Sequence, residues 1–497
     1  MSAKKYMIVR KVLKGFGIVI AAAVFAMAGL SAFFFIAGRD IDPPDVSDIL
    51  PSLPQVEPSE NMVPVLMDAT NLFVVTSPDR ALAYFYRKDE WNHKLNVDGA
   101  NRVLSAEEAA ALVDQLLATN AALFAALDIA AARPHARYPD RLIMQYPIPE
   151  LYDTDAYSAL WSFEDTAYQY GVLVALRARR RRECGHSEEA VEEMLRLGEM
   201  FSRLSYENDT GLLLFLRGPD LPVAEELVVS AVKDDLSDET CVQIDAALEK
   251  WAKMRRESMR RADLVYFGRW HNFLSLDRAE LYERLFPSER FEPAPQLSEC
   301  RWICMLAKCA EWIVKNYPGY GRYAFQPNRT MQEFASEVRA DCPQAYSTPY
   351  SPEVRARFAA RAERMKKAES AHEFQRNSIG LGCINRGYGS GGAFRLVGRV
   401  AFADEVKRLA VAIARYRRKH GEAPARLEDL VPEFLDEVPR DPFDSTRPIG
   451  YNAEQGTIHT VGANGDFSGR IPRPGARYGG IRGGYYRYIY RIDGSSL

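Results

Sequence analysis

Residues Gly15–Gly38 contain no charged side chain, and this run constrains the chain more than any other stretch. It is long enough to cross about 30 Å of hydrocarbon as a helix. Lysines and arginines precede it between positions 4 and 14, whereas acids follow it from Asp40 onward. Positive charge marks the cytoplasmic side. We therefore expect a basic cytoplasmic segment over 1–14, a single transmembrane helix over 15–38 in a bacterial inner membrane, and the bulk of the chain in the periplasm.

A cleaved signal peptide is the competing interpretation of this run. Ala26-Met27-Ala28 offers a cleavage site, but apolar residues continue through Ile36, too far beyond that site. We favour an uncleaved anchor, with the lipid bilayer as its partner. Residues 39–61 are rich in proline and acids, which predicts a semi-extended linker that holds the body off the membrane.

Residues 62–375 show the apolar periodicity of helices. Ser105 and Glu108 form a capping-box pattern, and Ser187 and Ser237 are candidate N-caps. No strict repeat period is present, so we predict an irregular helical repeat or bundle. The predicted helices cover 105–131, 157–183, 187–204, 210–232, 237–262, 299–315 and 352–373.

Two basic clusters stand out in this helical region. Arg177 and Arg179–Arg182 would end a helix, where a solvated terminus is the simpler interpretation and an anionic polymer or lipid is the alternative partner. The Arg255-Arg256 pair predicts an exposed helix face. The net charge of −3 argues against a nucleic-acid partner for the chain.

The strongest aromatic cluster is the segment Tyr266–Phe273. Tyr266, Trp270, His271 and Phe273 are the candidate residues for a sugar or peptide site, because aromatic faces with one polar group suit such ligands. Core packing between helices explains the same residues with fewer assumptions.

Residues 376–398 are rich in glycine and predict a hinge. After it, Phe402, Val406, Leu409, Ile413 and Tyr416 recur at helical spacing. The following Gly421 suits a helix C-cap, and Pro424 prevents continuation.

Strands are predicted beyond this helix. Pro448–Asn452 and Thr457–Val461 can pair across a four-residue loop as a hairpin. The alternating tail Tyr485–Ile492 predicts an added edge strand or a tyrosine-rich contact surface, and we favour the strand.

The region Arg408–Gly469, with its LEDLVPEFL, PRDPFD and TVGANGDFSG segments, resembles the globular half of the type II secretion system protein G, the major pseudopilin. The whole chain also resembles uncharacterised single-anchor bacterial envelope proteins that carry this module. The resemblance implies a helix packed on a small sheet, and a loop that often binds calcium. Asp466, Asn464 and Asp444 would be its ligands here. Calcium prefers six to eight oxygens, so an ordinary Asn-Gly turn is the simpler interpretation.

These observations predict a mainly α chain with an N-terminal transmembrane helix, a helical body over 62–375 and a small α+β pseudopilin-like module over 399–497. We expect a membrane-anchored, non-enzymatic scaffold that binds unknown envelope proteins, with no cofactor. An envelope hydrolase or carbohydrate-binding protein is the first alternative. A secretion- or pilus-related pseudopilin is the second.

Overall fold

The chain is mostly helical with a few short strands. The structure is a computed structural model. It describes residues 39–50, 56–88, 95–97, 100–138, 154–207, 218–275, 326–345, 392–461 and 489–491, together with scattered positions between 24 and 37 and at 356, 360 and 363. The predicted helices at 299–315 and 352–373 lie outside these ranges, apart from the three single positions.

The helices and strands are numbered in chain order among the described residues. The helices are α1 (Met62–Asp68), α2 (Ser77–Lys88), α3 (Ala106–Thr119), α4 (Ala121–Ala131), α5 (Thr154–Glu183), α6 (Ser187–Tyr206), α7 (Asp220–Lys233), α8 (Asp238–Leu274), α9 (Pro327–Ala345) and α10 (Gly392–His420). The strands are β1 (Leu95–Val97), β2 (Ala100–Arg102), β3 (Arg440–Asp441), β4 (Asp444–Pro448), β5 (Gly450–Asn452), β6 (Thr457–His459) and β7 (Ile489–Arg491).

The predicted helix over 105–131 is broken in two by Asn120. Its beginning is as expected, because Ser105 and Glu108 form the reciprocal capping box. At Asn120 the axis bends by 60° between α3 and α4. The buried Asn120 amide group accepts from the Val74 nitrogen at 3.0 Å and donates to the Leu116 carbonyl at 2.9 Å. The side chain thus fills the gap that the bend opens in the helix.

One continuous apolar core joins α1 to α8. Small residues allow the close approach of its longest helices. A Cβ on Gly198 of α6 would lie 2.2 Å from the Trp251 ring of α8, and a Cβ on Gly171 of α5 would lie 1.9 Å from the Pro219 carbonyl oxygen. The large aromatic side chains and the backbone therefore occupy the space that these glycines leave free.

The long helix α8 has 37 residues and extends beyond this core. Near its end, Phe267 is fully buried and packs on Phe334 of α9, with ring centroids 5.1 Å apart. α8 therefore connects the main core to α9 and, through it, to the segment that follows the predicted anchor.

A second, smaller core forms around α10. Leu409 and Ile413 of α10 share this core with Ile458 of β6 and with Ile449, which lies between β4 and β5. β5 pairs with β6 in antiparallel register, with Asn452 opposite Thr457, so the predicted hairpin and its four-residue loop are confirmed. β7 pairs with β6, which also confirms the predicted edge strand for Ile489–Arg491.

α10 begins at Gly392, inside the range 376–398 that we assigned to a hinge. Glycine costs a helix only about 1 kcal/mol per residue, which tertiary contacts can offset. Gly398 shows such a contact, because a Cβ there would lie 2.6 Å from the Phe443 ring. The glycine at this position permits close packing rather than bending.

Only part of the predicted anchor belongs to the described residues. Among these residues, no single helix combines the length and the apolar character needed to cross a membrane. The bent pair α3–α4 reaches that length and apolar character only when its two helices are taken together. A shorter apolar helix covers Val24–Phe33.

Candidate functional site at the junction of body and module

Four polar side chains from four helices meet in the interior, where the helical body contacts the C-terminal module. Tyr206 ends α6, Asp220 begins α7, Arg255 lies in the middle of α8 and Asp404 lies in α10. The first turn of a helix favours an anion, which suits Asp220 at the start of α7. We call this group the module junction.

Arg255 is the centre of the module junction. Its Nη1 donates to Oδ1 of Asp404 at 2.8 Å, and its Nη2 donates to Oδ2 of Asp220 at 2.7 Å. Its Nε donates to the Tyr206 hydroxyl at 2.7 Å, and that hydroxyl donates in turn to Asp220 at 2.7 Å. The Ser205 hydroxyl also donates to Oδ1 of Asp220 at 3.2 Å.

The module junction is almost completely shielded from water. The side-chain exposure is 3% for Arg255, 0% for Asp220 and 7% for Asp404. Lys407 lies 3.6 Å from Asp404, so two cations balance two carboxylates. Burial alone would lower the pKa of Arg255, but Asp404, Tyr206 and Asp220 outweigh it and raise the pKa. Burial raises the pKa of Tyr206 well above its usual value, so the phenol stays neutral.

This chemistry suits a structural role. The guanidinium remains charged, the phenol remains neutral, and the polar atoms point at one another. A buried pair of this kind contributes little beyond an apolar contact when it is intact, whereas removal of one partner leaves an uncompensated charge. The arrangement therefore specifies one relative position of α7, α8 and α10.

Further arginines extend the contact along α10. Arg415 forms two bonds with Asp238, at 2.7 Å and 3.1 Å, and Arg408 lies 3.4 Å from Asp245. Hydrogen bonding to Arg415 lowers the pKa of Asp238, whereas burial raises the pKa of Asp245. The ion pairs follow α10 and α8 in opposite chain directions, so the two helices are antiparallel.

Arg418, near the end of α10, adds the last hydrogen bonds between this helix and the body. It donates to the carbonyl oxygens of Ala231 and Asp234 at 2.5 Å and 2.7 Å, and to the sulfur of the buried Cys241 at 2.8 Å. Burial raises the pKa of the Cys241 thiol. The thiol is thus a buried hydrogen-bond acceptor in this contact.

α10 is buried on two faces. Its apolar face, which we predicted from Phe402 to Tyr416, packs in the small core. Its second face carries Asp404, Arg408, Val411, Arg415 and Arg418 at spacings of four, three, four and three, and Val411 lies in the core of the body. This second helical repeat is visible in the sequence, although we predicted only the apolar face.

The interpretation of Arg255-Arg256 as an exposed pair is wrong for Arg255. The interpretation of the second cluster as a solvated terminus is wrong for Arg177, Arg179 and Arg182, which are largely buried, whereas Arg181 is exposed as expected. All five arginines form ion pairs within the body. The pairs are Arg177 and Arg181 with Glu193, Arg179 and Arg180 with Glu183, Arg180 with Asp114, and Arg182 with Glu226 and Asp234.

Arg177 illustrates how this cluster is held. Its guanidinium lies 3.5 Å from the centroid of the Phe124 ring and pairs with the buried Glu193. Burial lowers the pKa of Arg177 to about 10, so the side chain still carries its charge at neutral pH. The cluster ties α5 to α6 and α7, and it offers little free positive charge to an external polymer.

The aromatic candidates all lie in the last turns of α8. Tyr266, Trp270 and Phe273 are part of the helix, but their side chains lie outside the described residues. His271 is half-buried, and its carbonyl accepts from the Ser275 nitrogen at 2.9 Å. The described neighbours Phe267 and Leu274 are buried. This end of α8 therefore contributes to core packing.

The calcium candidates are not brought together by the described structure. Asn464 and Asp466 lie outside the described residues. Asp444 begins β4, where its carboxylate pairs with Nε of Arg447 at 2.9 Å and accepts from the Thr446 nitrogen at 3.1 Å. Within the described ranges, no group of three or more histidine, cysteine, aspartate or glutamate side chains is placed to hold a metal ion.

Comparison with known proteins gives no relative for this arrangement. No protein-family model matches the chain, and neither the curated proteins nor the solved structures contain a match.

Proposed function

We propose that this chain is a membrane-anchored interaction scaffold that faces the periplasm. A single span over 15–38 fixes it in the bacterial inner membrane with its N-terminus in the cytoplasm. The helical body then carries the C-terminal α+β module to a protein partner in the envelope. The module, rather than a catalytic cleft, is the functional end of the molecule.

The module junction is the observation that carries this proposal. Arg255 binds Asp220 of the body and Asp404 of the module helix at the same time, and all three side chains are shielded from solvent. Loss of one partner from a buried pair costs about 3–5 kcal/mol, which opposes any swinging of the module. A protein that needs its module in one position has the properties of a scaffold.

The buried acids of the body and of the module helix support a scaffold over the first alternative, an envelope hydrolase or carbohydrate-binding protein. Glu193, Asp220, Glu226 and Asp404 are buried, and each lies at ion-pair distance from an arginine. A catalytic carboxyl group would instead face a cleft. In addition, the packing of Phe267 on Phe334 favours a core at the end of α8 over a sugar site.

The small core supports the pseudopilin-like character of the module. The resemblance implies a helix against a sheet, and Leu409 and Ile413 of α10 pack with Ile458 of β6. A fibre-forming pseudopilin, our second alternative, is less well supported. The opposite face of α10 already contacts the body through Val411 and the arginines.

The topology can be tested at Cys184, which is an exposed free thiol of the body. Intact cells are treated with a maleimide that cannot cross the inner membrane, after the outer membrane has been made permeable. Mass spectrometry then measures labelling of the peptide that contains Cys184, with Cys184→Ser as the matched control. We expect labelling without disruption of the inner membrane. Labelling only after its disruption would contradict the proposed orientation.

The role of the module can be tested with a photo-crosslinking residue at the exposed Glu454 in the hairpin loop, with the exposed Glu107 of α3 as the control position. In native membranes, we expect a discrete adduct with one envelope protein from position 454. The yield of this adduct should fall when Arg255 is replaced by alanine. Adducts from position 107 only, or from neither position, would speak against the module as the binding end.

A further inference from the structure

The segment that follows the predicted anchor is docked onto helix α9. Asp40 accepts hydrogen bonds from the backbone nitrogens of Asn328 at 2.8 Å and Arg329 at 3.0 Å. Gln326 donates to the carbonyl oxygen of Ala37 at 2.9 Å, and Asn328 donates through its side chain to the carbonyl oxygen of Ile41 at 2.8 Å. Ala37, Asp40 and Ile41 thus bind the first turn of α9 through several hydrogen bonds. This differs from the semi-extended linker that we expected over 39–61, which would hold the body off the membrane.

A second contact lies further along α9. Arg339 binds both carboxylate oxygens of Asp48, at 2.5 Å and 2.9 Å, and donates to the Asp45 carbonyl at 2.8 Å. At about 1.5 Å per residue, this contact lies about 16 Å along α9 from the first one. Val46 and Ile49, which neighbour Asp45 and Asp48 in the chain, are buried. We call the two contacts together the linker junction.

Two separate contacts fix the orientation of the linker on α9, whereas a single contact would let the linker rotate. Both partners belong to the same chain, so docking carries none of the entropy cost of bringing two molecules together. Asp40 also satisfies nitrogens that the first turn of a helix leaves without partners. The docked arrangement is therefore the expected state of the linker.

The contacts continue from the linker junction to the module. α9 packs on α8 through Phe334 and Phe267. α8 then runs from Phe267 past Arg255, which binds Asp404, to Asp238, which binds Arg415. These α8 positions lie about 18 Å and about 44 Å from Phe267 along the helix axis. α8 thus forms a strut between the anchor side and the module.

We propose that the first turn of α9, together with Ala37, Asp40 and Ile41, is the membrane-facing end of the body and rests on the lipid headgroups. The strut α8 then holds the module at a fixed distance from the bilayer. This inference rests on the proposed anchor, because Ala37 is the last residue but one of the predicted span.

The position of this end follows from chain continuity. Gln326 is bonded to the end of the span, so it lies where hydrocarbon gives way to headgroups. On the anchor side of that contact, Phe25 and Ile36 are 79% and 67% exposed, as expected for side chains that meet lipid. On the other side, Asp42, Asp45 and Asp48 are exposed acids, which belong in water.

Neutron reflectometry on the full chain in a supported bilayer tests this inference. For the wild type, we expect the protein layer to adjoin the headgroups without a water layer. In the variant Asp40→Ala/Arg339→Ala, a hydrated layer should separate the two. The matched control is Asp42→Ala, which removes an exposed acid of the same linker and should resemble the wild type. A water layer in the wild type, or no change in the double variant, would overturn the inference.

Hydrogen exchange on the same samples in nanodiscs provides a second readout. Peptides that cover 326–332 should lose about fivefold to tenfold of their protection when Asp40 is replaced by alanine, because two amides lose their acceptor. Peptides from α6 should keep theirs, which shows that the variant is folded. Unchanged protection at 326–332 would overturn the docking.

Flotation with liposomes separates this inference from the proposed function. If the wild type fails to float, the anchor is disproved, and the membrane-facing end with it. If the wild type floats but reflectometry shows a water layer, only the present inference fails. The proposed scaffold then stands on a flexible tether.

Discussion

The module junction and the linker junction are both built from arginine and aspartate, but they differ in burial. At the module junction, Arg255 and its two acids are shielded from water on all sides. At the linker junction, Arg339 and Asp48 are 41% and 58% exposed. Water screens such an exposed pair and makes it weak, whereas a buried charge must keep its partner. The same residue types therefore give a buried contact that cannot lose a partner without a large cost and an exposed contact that salt weakens.

The largest effect is expected from Arg255→Ala at the module junction. The substitution leaves Asp220 and Asp404 buried without their cation, so the free energy of unfolding should fall by about 3–5 kcal/mol. Urea unfolding of the full chain in detergent, followed by tryptophan fluorescence, measures this loss. The variant Arg255→Met/Asp220→Asn/Asp404→Leu removes all three charges and should recover most of the stability. A single variant as stable as the wild type would contradict the buried geometry.

A smaller effect is expected from Asp40→Ala at the linker junction. The carboxylate caps the first turn of α9, and loss of such a cap costs about 0.5–2 kcal/mol. Because the loss is local, it should appear as increased proteolysis of the linker rather than as a lower unfolding midpoint of the body. Asp40→Asn keeps one of the two oxygen acceptors but turns its NH2 group towards the other backbone nitrogen, so it should restore only part of the protection. A linker as protected in Asp40→Ala as in the wild type would contradict the cap.

A still smaller effect is expected from Arg339→Ala. The exposed Asp48 pair is screened by salt, since the Debye length is about 10 Å at 0.1 M. Limited proteolysis of the linker should therefore differ from wild type at low salt and converge at high salt. The exchanged pair Asp48→Arg/Arg339→Asp should restore resistance at low salt. An effect that does not depend on salt would show that this contact behaves like the module junction.

The smallest effect is a pH dependence within the module itself. Burial lowers the pKa of His459 from 6.5, and Asp441 opposes this shift. Above pH 6.5 the imidazole is neutral in both states, so its burial does not change the stability of the module with pH. The free energy of unfolding falls as the pH drops through 6.5 towards the lowered pKa, because the unfolded state then binds the proton more readily. Thermal unfolding at pH 7.5 and at pH 5.5 should show this loss, and His459→Gln should reduce it. A midpoint that rises on acidification would reverse the sign and contradict the burial of the imidazole.

Local structure was largely predictable from the sequence, because local patterns determine it. The capping box at Ser105, the hairpin around β5 and β6 and the added strand β7 are all confirmed. Ser237 also acts as expected, since its hydroxyl accepts from the Thr240 nitrogen, whereas the helix after Gly185 has His186 as its N-cap instead of Ser187. The caps and the hairpin involve residues close together in the chain, whereas β7 was predicted from its own alternating pattern.

The module junction was not predictable from the sequence, because its partners are far apart in the chain. Asp404 lies 149 positions from Arg255, and periodicity alone does not tell which arginine of α8 meets another helix. The repeat of Asp404, Arg408, Arg415 and Arg418 on α10 was the available signal. A helix with two periodic faces, one apolar and one charged, indicates two neighbours rather than one neighbour and water.

The two buried faces of α10 have a practical consequence for anyone who isolates the C-terminal module. A fragment cut at residue 399 would lack the first turns of α10, and it would expose Ala410 and Val411, which the body normally covers. Such a fragment should be prone to self-association and should be rescued by co-expression with residues 62–275. Truncation mapping of a binding partner would therefore mislead unless both pieces are supplied together.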